Sequence, residues 1–325
     1  MLIDNHGRVT NYLRLSVTDS CNLRCQYCMP EEGVSFAKRS ELLSWDELFT
    51  LAKVFVGMGV NKIRITGGEP FVRKGLMSFL EKLAYLPGLD DISITTNATL
   101  IGPHIQALKK LHISSINVSL DSLDRQRVHA ITRRDSFDTV IANVHQLVDH
   151  GFDVKLNCVV MAGINIDDII PFVHFANQNP INVRFLEEMP FNGQSIGGKV
   201  LEWDHVRILA LIKSHFPRIE KLPTSQSSTS VNYKVPGGMG SFGVIPSFSR
   251  TFCGTCNRIR VSAKGHLQTC LYAAETVDLK PMVRGILDPE GLESSIYAAI
   301  QSRYKDGFEA EKRLTNIQSM TLIGG

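Results

Sequence analysis

Six of the seven cysteines in this 325-residue chain fall into two triplets. The first reads Cys21-x3-Cys25-x2-Cys28. Three thiolates can ligate three irons of a [4Fe–4S] cubane and leave the fourth iron open to a small molecule. A three-cysteine zinc site is the other chemistry such a run allows. Zinc normally recruits a fourth Cys or His nearby, and His6 is the sole such residue between Asp4 and Met58 outside the triplet. The second triplet, Cys253-x2-Cys256-x13-Cys270, also lacks a fourth cysteine. It suits a second [4Fe–4S] cluster with an open iron, or a zinc knuckle completed by His266. Cys158 is left over in an apolar run and reads as a buried core thiol. This cysteine usage argues for metal ligation rather than disulfides, and so for a reducing, cytoplasmic setting.

The elements that must position these residues alternate between two periods. Tyr12–Thr18, Lys62–Thr66, Asp91–Thr96, Ser115–Leu120, Asp153–Val160 and Asn182–Glu188 read as strands. A helix opens after Ser44, which with Glu47 is spaced as a capping box. Further helices are expected near Leu76–Leu86, Ile105–Leu111, Phe137–His150 and Asp167–Asn177. Six βα units predict an α/β fold with a parallel sheet, a partial (βα)6 TIM-like barrel too short to close. Beyond Pro223 the texture shifts to a Ser/Thr-rich loop, short strands, and helical patterns at Val277–Gly285 and Leu292–Arg303. The expected organisation is a barrel over 1–222 and a smaller α+β extension over 223–325 that covers the barrel mouth.

Successive strand residues point to opposite faces. One face is apolar, for example Leu13/Leu15/Val17 and Ile63/Ile65, and should meet the helices. The other should line the lumen, and it carries Arg14, Lys62, Arg64, Lys155 and Arg184. Closed barrels fill their interiors with branched aliphatic side chains. Buried charge without a partner is costly, so a lumen with five cations and few acids, Asp121 and Glu188, implies a large anion such as a triphosphate.

With these features in view, the chain resembles the radical SAM (S-adenosylmethionine) superfamily. The resemblance is carried by the first triplet, by Thr66-Gly67-Gly68-Glu69-Pro70, and by the strand ends at Thr96-Asn97 and Ser119. It implies that Tyr27, Gly68, Glu69, Thr96, Asn97 and Ser119 contact SAM. Adding Lys62-Ile63-Arg64, Cys253-x2-Cys256-x-Arg258-x-Arg260, Cys270 and the terminal Ile323-Gly324-Gly325 narrows the resemblance to the MoaA family of GTP 3′,8-cyclases in molybdenum cofactor biosynthesis. That resemblance implies two [4Fe–4S] clusters, at Cys21/Cys25/Cys28 and Cys253/Cys256/Cys270. It assigns GTP to Arg14, Lys62, Arg64, Lys155, Arg184, Arg258 and Arg260. Catalytic roles fall on Arg258, Arg260, Gly324 and Gly325. It further implies an external one-electron reductant, a downstream cyclic pyranopterin monophosphate synthase, and compatibility with a homodimer. Two positions depart from the family pattern: Ser20 replaces an arginine and Ala98 a glycine.

Composition is that of a globular enzyme, 43% hydrophobic and 21% charged. The net charge of +3 does not argue for nucleic acid, and no apolar run approaches a membrane span. A near-miss to a phosphate loop at Gly193-x4-Gly198-Lys199 has Val200 where a magnesium-binding Ser or Thr belongs, and is rejected. Another two-cluster radical enzyme, such as a peptide modifier, is the nearest alternative. A zinc protein that binds nucleic acid is a more distant one.

Overall fold

The computed structural model describes residues 1–113, 115–191, 201–274, 276–284, 288–313 and 319–324. Six parallel strands run in chain order: β1 (Tyr12–Ser16), β2 (Lys62–Thr66), β3 (Asp91–Thr96), β4 (Ser115–Ser119), β5 (Asp153–Val160) and β6 (Asn182–Glu187). Between them lie α1 (Trp45–Gly57), α2 (Leu76–Ala84), α3 (Ile105–Lys110), α4 (Arg125–Thr132), α5 (Phe137–Asp149) and α6 (Ile169–Gln178). The apolar phase of each strand packs on these helices: Leu13, Leu15, Ile63, Ile65, Val183 and Phe185 are fully buried in one continuous core. Residue alternation thus forces the opposite phase, including Arg14, Arg64 and Arg184, to the inside of the curve. The capping box at Ser44 forms, with the Ser44 hydroxyl accepting from Glu47 N and Glu47 accepting from Ser44 N.

After α7 (His205–His215) the chain adds β7 (Glu220–Lys221), β8 (Val231–Lys234) and β9 (Ser241–Ile245). It then adds β10 (Arg258–Val261), β11 (His266–Gln268) and β12 (Val277–Asp278). The strand order is β12-β11-β10-β1-β2-β3-β4-β5-β6-β9-β8-β7. The extension therefore does more than cover a mouth. It joins the barrel sheet at both edges, with β9 parallel to β6 and β10 parallel to β1. Each exposed edge of the six-strand unit is closed by pairing, which removes an aggregation liability.

Some local expectations are corrected. The first strand ends at Ser16, because the next residues turn to meet the loop after β2. The helical pattern expected over 277–285 begins instead as β12, where Val277 pairs with Leu267, and becomes only a short helix, α8 (Lys280–Val283), with Pro281 in its first turn. Gly285 lies outside the described residues. Helix α4 was not foreseen, since its exposed face is rich in charge and only Val128, Ile131 and Thr132 are buried. The last helices are α9 (Pro289–Gln301), α10 (Gly307–Glu311) and α11 (Met320–Ile323). Among the described residues no helix is long and apolar enough to cross a membrane.

Phe185 on β6 meets Phe172 on α6 edge-to-face, with ring centroids 6.3 Å apart. Phe185→Ala is expected to cost about 3–5 kcal/mol by leaving a cavity between sheet and helix. Urea denaturation checks this through the midpoint at unchanged slope.

Candidate active site

A cavity of about 310 Å³ opens inside the curve of the sheet. The thiols Cys21, Cys25 and Cys28 line one part of it, and Cys253, Cys256 and Cys270 another. Arg14, Arg64, Arg184, Arg258 and Arg260 line it as well, with Tyr27, Gly67, Gly68, Thr96, Asn97 and Ser119. Residues from Arg8 to Thr321 thus share one chamber because parallel strands deliver their C-terminal ends to one side.

The first triplet sits on a loop pinned from several directions. Arg24 N and Gln26 N donate to Thr132 O and Ile131 O at 3.0 Å each, so the open carbonyls at the end of α4 hold the loop. Arg133 also donates to Arg24 O at 2.9 Å. Leu23 N approaches Cys21 Sγ at 3.4 Å, and the Asn97 amide approaches it at 3.8 Å. Burial pushes the Cys28 thiol up to about 12 and the Cys25 thiol well above its ordinary value, with Asp121 and the neighbouring thiols adding to the effect. Positive charge on bound iron reverses that cost, which is what a cluster-ligating thiol set requires.

The loop after β2 runs against this segment. Gly68 N donates to Thr18 O at 2.8 Å and Glu69 N to Ser20 O at 2.9 Å. A Cβ on Gly68 would lie 2.4 Å from Ser20 O, so backbone contact forbids a side chain there. Glu69 is completely buried behind the cavity wall. It accepts from Thr96 Oγ1 at 2.8 Å, Asn97 N at 2.6 Å and Phe71 N at 3.1 Å. Burial pushes its carboxyl up to about 7 against those donors. Tyr27 hydrogen-bonds Asp121, whose carboxylate also accepts from Val159 N at 2.9 Å. Ala98 stands at φ 59, in the left-handed region where glycine is favoured, with its carbonyl held by the Asn143 amide at 2.7 Å. That geometry accounts for the glycine expected at this position.

The arginines are the electrostatic core. Burial, then the Arg260 charge, drives Arg14 well below an ordinary guanidinium. Burial and Arg64 bring Arg184 to about 10; burial and Arg258 bring Arg260 to about 10. Arg64 Nε donates to Ser93 Oγ at 3.1 Å and Arg184 Nε to Asn182 Oδ1 at 2.7 Å, both neutral acceptors. Lys62 and Lys155 behave differently. Lys62 pairs with Asp91, its register partner on β3, and Lys155 with Asp153 two residues back on β5. Neither lysine lines the cavity. The expectation of only two acids facing the lumen cations is therefore corrected: Asp91 and Asp153, at strand starts, neutralise its far end.

In the second triplet, burial opposes ionisation of Cys256, but Arg258 and Arg303 override it and bring the thiol down to about 6. Arg258 Nη2 lies 3.4 Å from Cys256 Sγ. His266 lines a neighbouring cavity, with Lys264 and Gln268, and not the chamber that the thiols line. Among the described residues no group of three or more His, Cys, Asp or Glu side chains is arranged to hold a metal ion. What the two triplets share is that all six cysteines are free thiols lining one chamber.

Sequence reasoning missed Met189 and Arg303, which also line the chamber. Thr95 and Asn157, which alternation assigns to the lumen phase, line it as expected. Met189 follows β6, and Arg303 comes from the end of α9 with no local motif. The tail enters the barrel: Thr66 Oγ1 donates to Gly324 O at 3.1 Å, and Ser319 Oγ to Cys28 O at 2.6 Å. Gly325 and most of the loop 191–202, including Gly193, Gly198, Lys199 and Val200, lie outside the described residues.

The "Radical SAM superfamily" model matches residues 15–176, and the "Molybdenum Cofactor Synthesis C" model matches 181–308. A GTP 3′,8-cyclase of Alkaliphilus oremlandii is 36% identical over 99% of both chains. The chain belongs to the GTP 3′,8-cyclase family of radical SAM enzymes. Molybdenum cofactor biosynthesis protein 1 of Bos taurus is 42% identical over 92% of this chain, and the chain spans about half of that relative's length, 47%. Among solved structures, Streptococcus suis SuiB bound to S-adenosylmethionine has a TM-score of 0.64 at 15% identity, covering 90% of this chain and 68% of that one. At that identity the likeness concerns the fold, the open barrel shared by radical SAM enzymes.

Gly324 has φ 82, and a Cβ there would lie 2.8 Å from Ser16 Cβ. Gly324→Ala is expected to cost about 1–2 kcal/mol in the docked tail from the left-handed conformation alone. Carboxypeptidase release of the C-terminal residues should rise about tenfold or more, with unchanged thermal unfolding.

Proposed function

We propose that this chain converts GTP to (8S)-3′,8-cyclo-7,8-dihydroguanosine 5′-triphosphate, the first step of molybdenum cofactor biosynthesis. The observation that carries the reading is one chamber lined by two thiol triplets and by Arg14, Arg64, Arg184, Arg258 and Arg260, with Arg14, Arg184 and Arg260 desolvated. Residues 1–222 would hold the SAM half of the site and 223–325 the substrate half. Two [4Fe–4S] clusters fit the triplets; when bound, they supply the electron that splits SAM and an open iron toward guanine.

The chain's own residues do the rest. The anionic Glu69, with Gly68 bringing backbone close, receives the SAM amino group. Tyr27, Thr96, Asn97 and Ser119 border the remaining SAM contacts. Arg14, Arg64 and Arg184 hold the triphosphate by charge-assisted hydrogen bonds. Lys62 and Lys155 would join them by exchanging Asp91 and Asp153 for phosphate oxygens. Arg258 and Arg260 orient the base beside the second triplet and donate toward the cyclised nucleotide as it is reduced. The Gly324–Gly325 tail holds C3′ in line for hydrogen abstraction and helps exclude water. An external one-electron reductant and a consuming cyclic pyranopterin monophosphate synthase complete the reading, and the free thiols suit a reducing cytoplasm.

Anaerobically reconstituted protein, SAM, dithionite and GTP should yield 5′-deoxyadenosine and cyclised nucleotide together. Cys270→Ser should keep deoxyadenosine formation and lose cyclisation at least tenfold. Cyclised product from that variant at the parent rate contradicts the role given to the second triplet.

A pH dependence follows from Glu69. Its pKa of about 7 in the empty site exceeds the ordinary carboxyl value because of burial, so the anion that receives an ammonium is depleted as pH falls through 7. SAM affinity should weaken severalfold from pH 8 to pH 6 in the parent and show a smaller slope in Glu69→Gln, the remainder coming from Asp121 behind Tyr27, which burial also brings to about 7. Calorimetric titration at both pH values decides it.

A further inference from the structure

Arg303 is almost completely buried, at 3% exposure, at the end of α9. Its Nη2 donates to Cys256 Sγ at 3.2 Å and to Arg258 O at 3.0 Å. Its Nη1 reaches Thr10 Oγ1 at 3.2 Å and Asp4 Oδ2 at 3.4 Å. Asp4 has a fully buried side chain and also receives Arg8 Nε at 2.6 Å. Arg8 in turn donates to Cys253 O at 3.0 Å, Tyr304 O at 2.6 Å and Lys305 O at 2.7 Å. The first ten residues form a small hairpin, with Ile3 bridged to Val9. One buried carboxylate thus faces two guanidiniums, an excess of positive charge aimed at two consecutive ligands of the second triplet. Such an arrangement is expensive unless negative charge accumulates at the sulfurs.

We propose that Arg303, held by the Asp4–Arg8 hairpin, is a positioning residue of the second triplet that fixes Cys256 and raises the reduction potential of the cluster bound there. Charged N–H donors to a ligating sulfur stabilise the more reduced, more negative cluster, so they shift its potential upward. The fork is specific to arginine: one arm is taken by Asp4 and Thr10 while the other reaches sulfur and carbonyl, which a single ammonium cannot do. The inference rests on the reading that Cys253, Cys256 and Cys270 hold a [4Fe–4S] cluster.

The test uses the full chain, reconstituted anaerobically, with iron and sulfide analysis and an EPR-monitored redox titration. SAM addition perturbs the signal of the first cluster and so identifies the second as the SAM-insensitive one. In Arg303→Gln the SAM-insensitive signal should titrate at a more negative potential, with Arg303→Lys between it and the parent and the SAM-sensitive signal unmoved. Selective loss of iron from the second triplet also supports the role in positioning Cys256. An unchanged potential in variants that retain full iron overturns the inference, as does equal loss from both triplets in both variants. A parent chain with a single EPR signal and about four irons would instead overturn the two-cluster reading itself.

Discussion

Mutual repulsion among desolvated arginines is the constraint around which this molecule is arranged. Arg14, Arg184 and Arg260 are each buried beside another guanidinium, and each is held below its ordinary pKa by that burial and that neighbour. A packed apolar barrel would be more stable, and closed barrels take that course. Here the apolar phase of every strand is turned outward to the helices, and the sheet is left open so that the polar phase surrounds a chamber. An anion of matching charge would relieve these unfavourable electrostatics, and the stability given up in the empty protein would become affinity for that ligand.

The two thiol triplets depend on the same architecture. The first lies at the strand C-terminal ends, where the end of α4, the loop after β2 and the tail all close upon it. The second reaches the chamber only because β10 joins β1 as a parallel neighbour, which sets Arg258 and Arg260 in register with Tyr12 and Arg14. The extension is thus structurally continuous with the barrel. Glu187 at the end of β6 binds the seam: it is fully buried and accepts from His205 N, Phe248 N and Ser249 N.

Much of this was legible from residue order. Strands β2, β3 and β5 begin and end where their alternation says, and the lumen phase follows from period two alone. Cysteine spacing marked both triplets without any structural information. What could not be read was pairing across distance. That Lys62 faces Asp91 needs the β2–β3 register, and that Arg303 faces Cys256 needs the path of α9 back to the N-terminal hairpin. The addition of β9 and β10 to opposite edges of one sheet was equally hidden, since short strands with little alternation carry no pairing signal. Helix α4 shows the complementary failure: its charged surface masks three inward residues that suffice to dock it.

The central claim is that the chamber is built for a triphosphate rather than for a nucleoside or a peptide. Its most direct measurement is equilibrium binding of GTP and of guanosine to the anaerobically reconstituted protein across a range of salt concentrations. Several buried charge-assisted contacts predict that GTP binds on the order of 100-fold more tightly than guanosine, about 2.7 kcal/mol, with the preference shrinking as salt rises. Equal affinity for GTP and guanosine, independent of salt, would contradict the account.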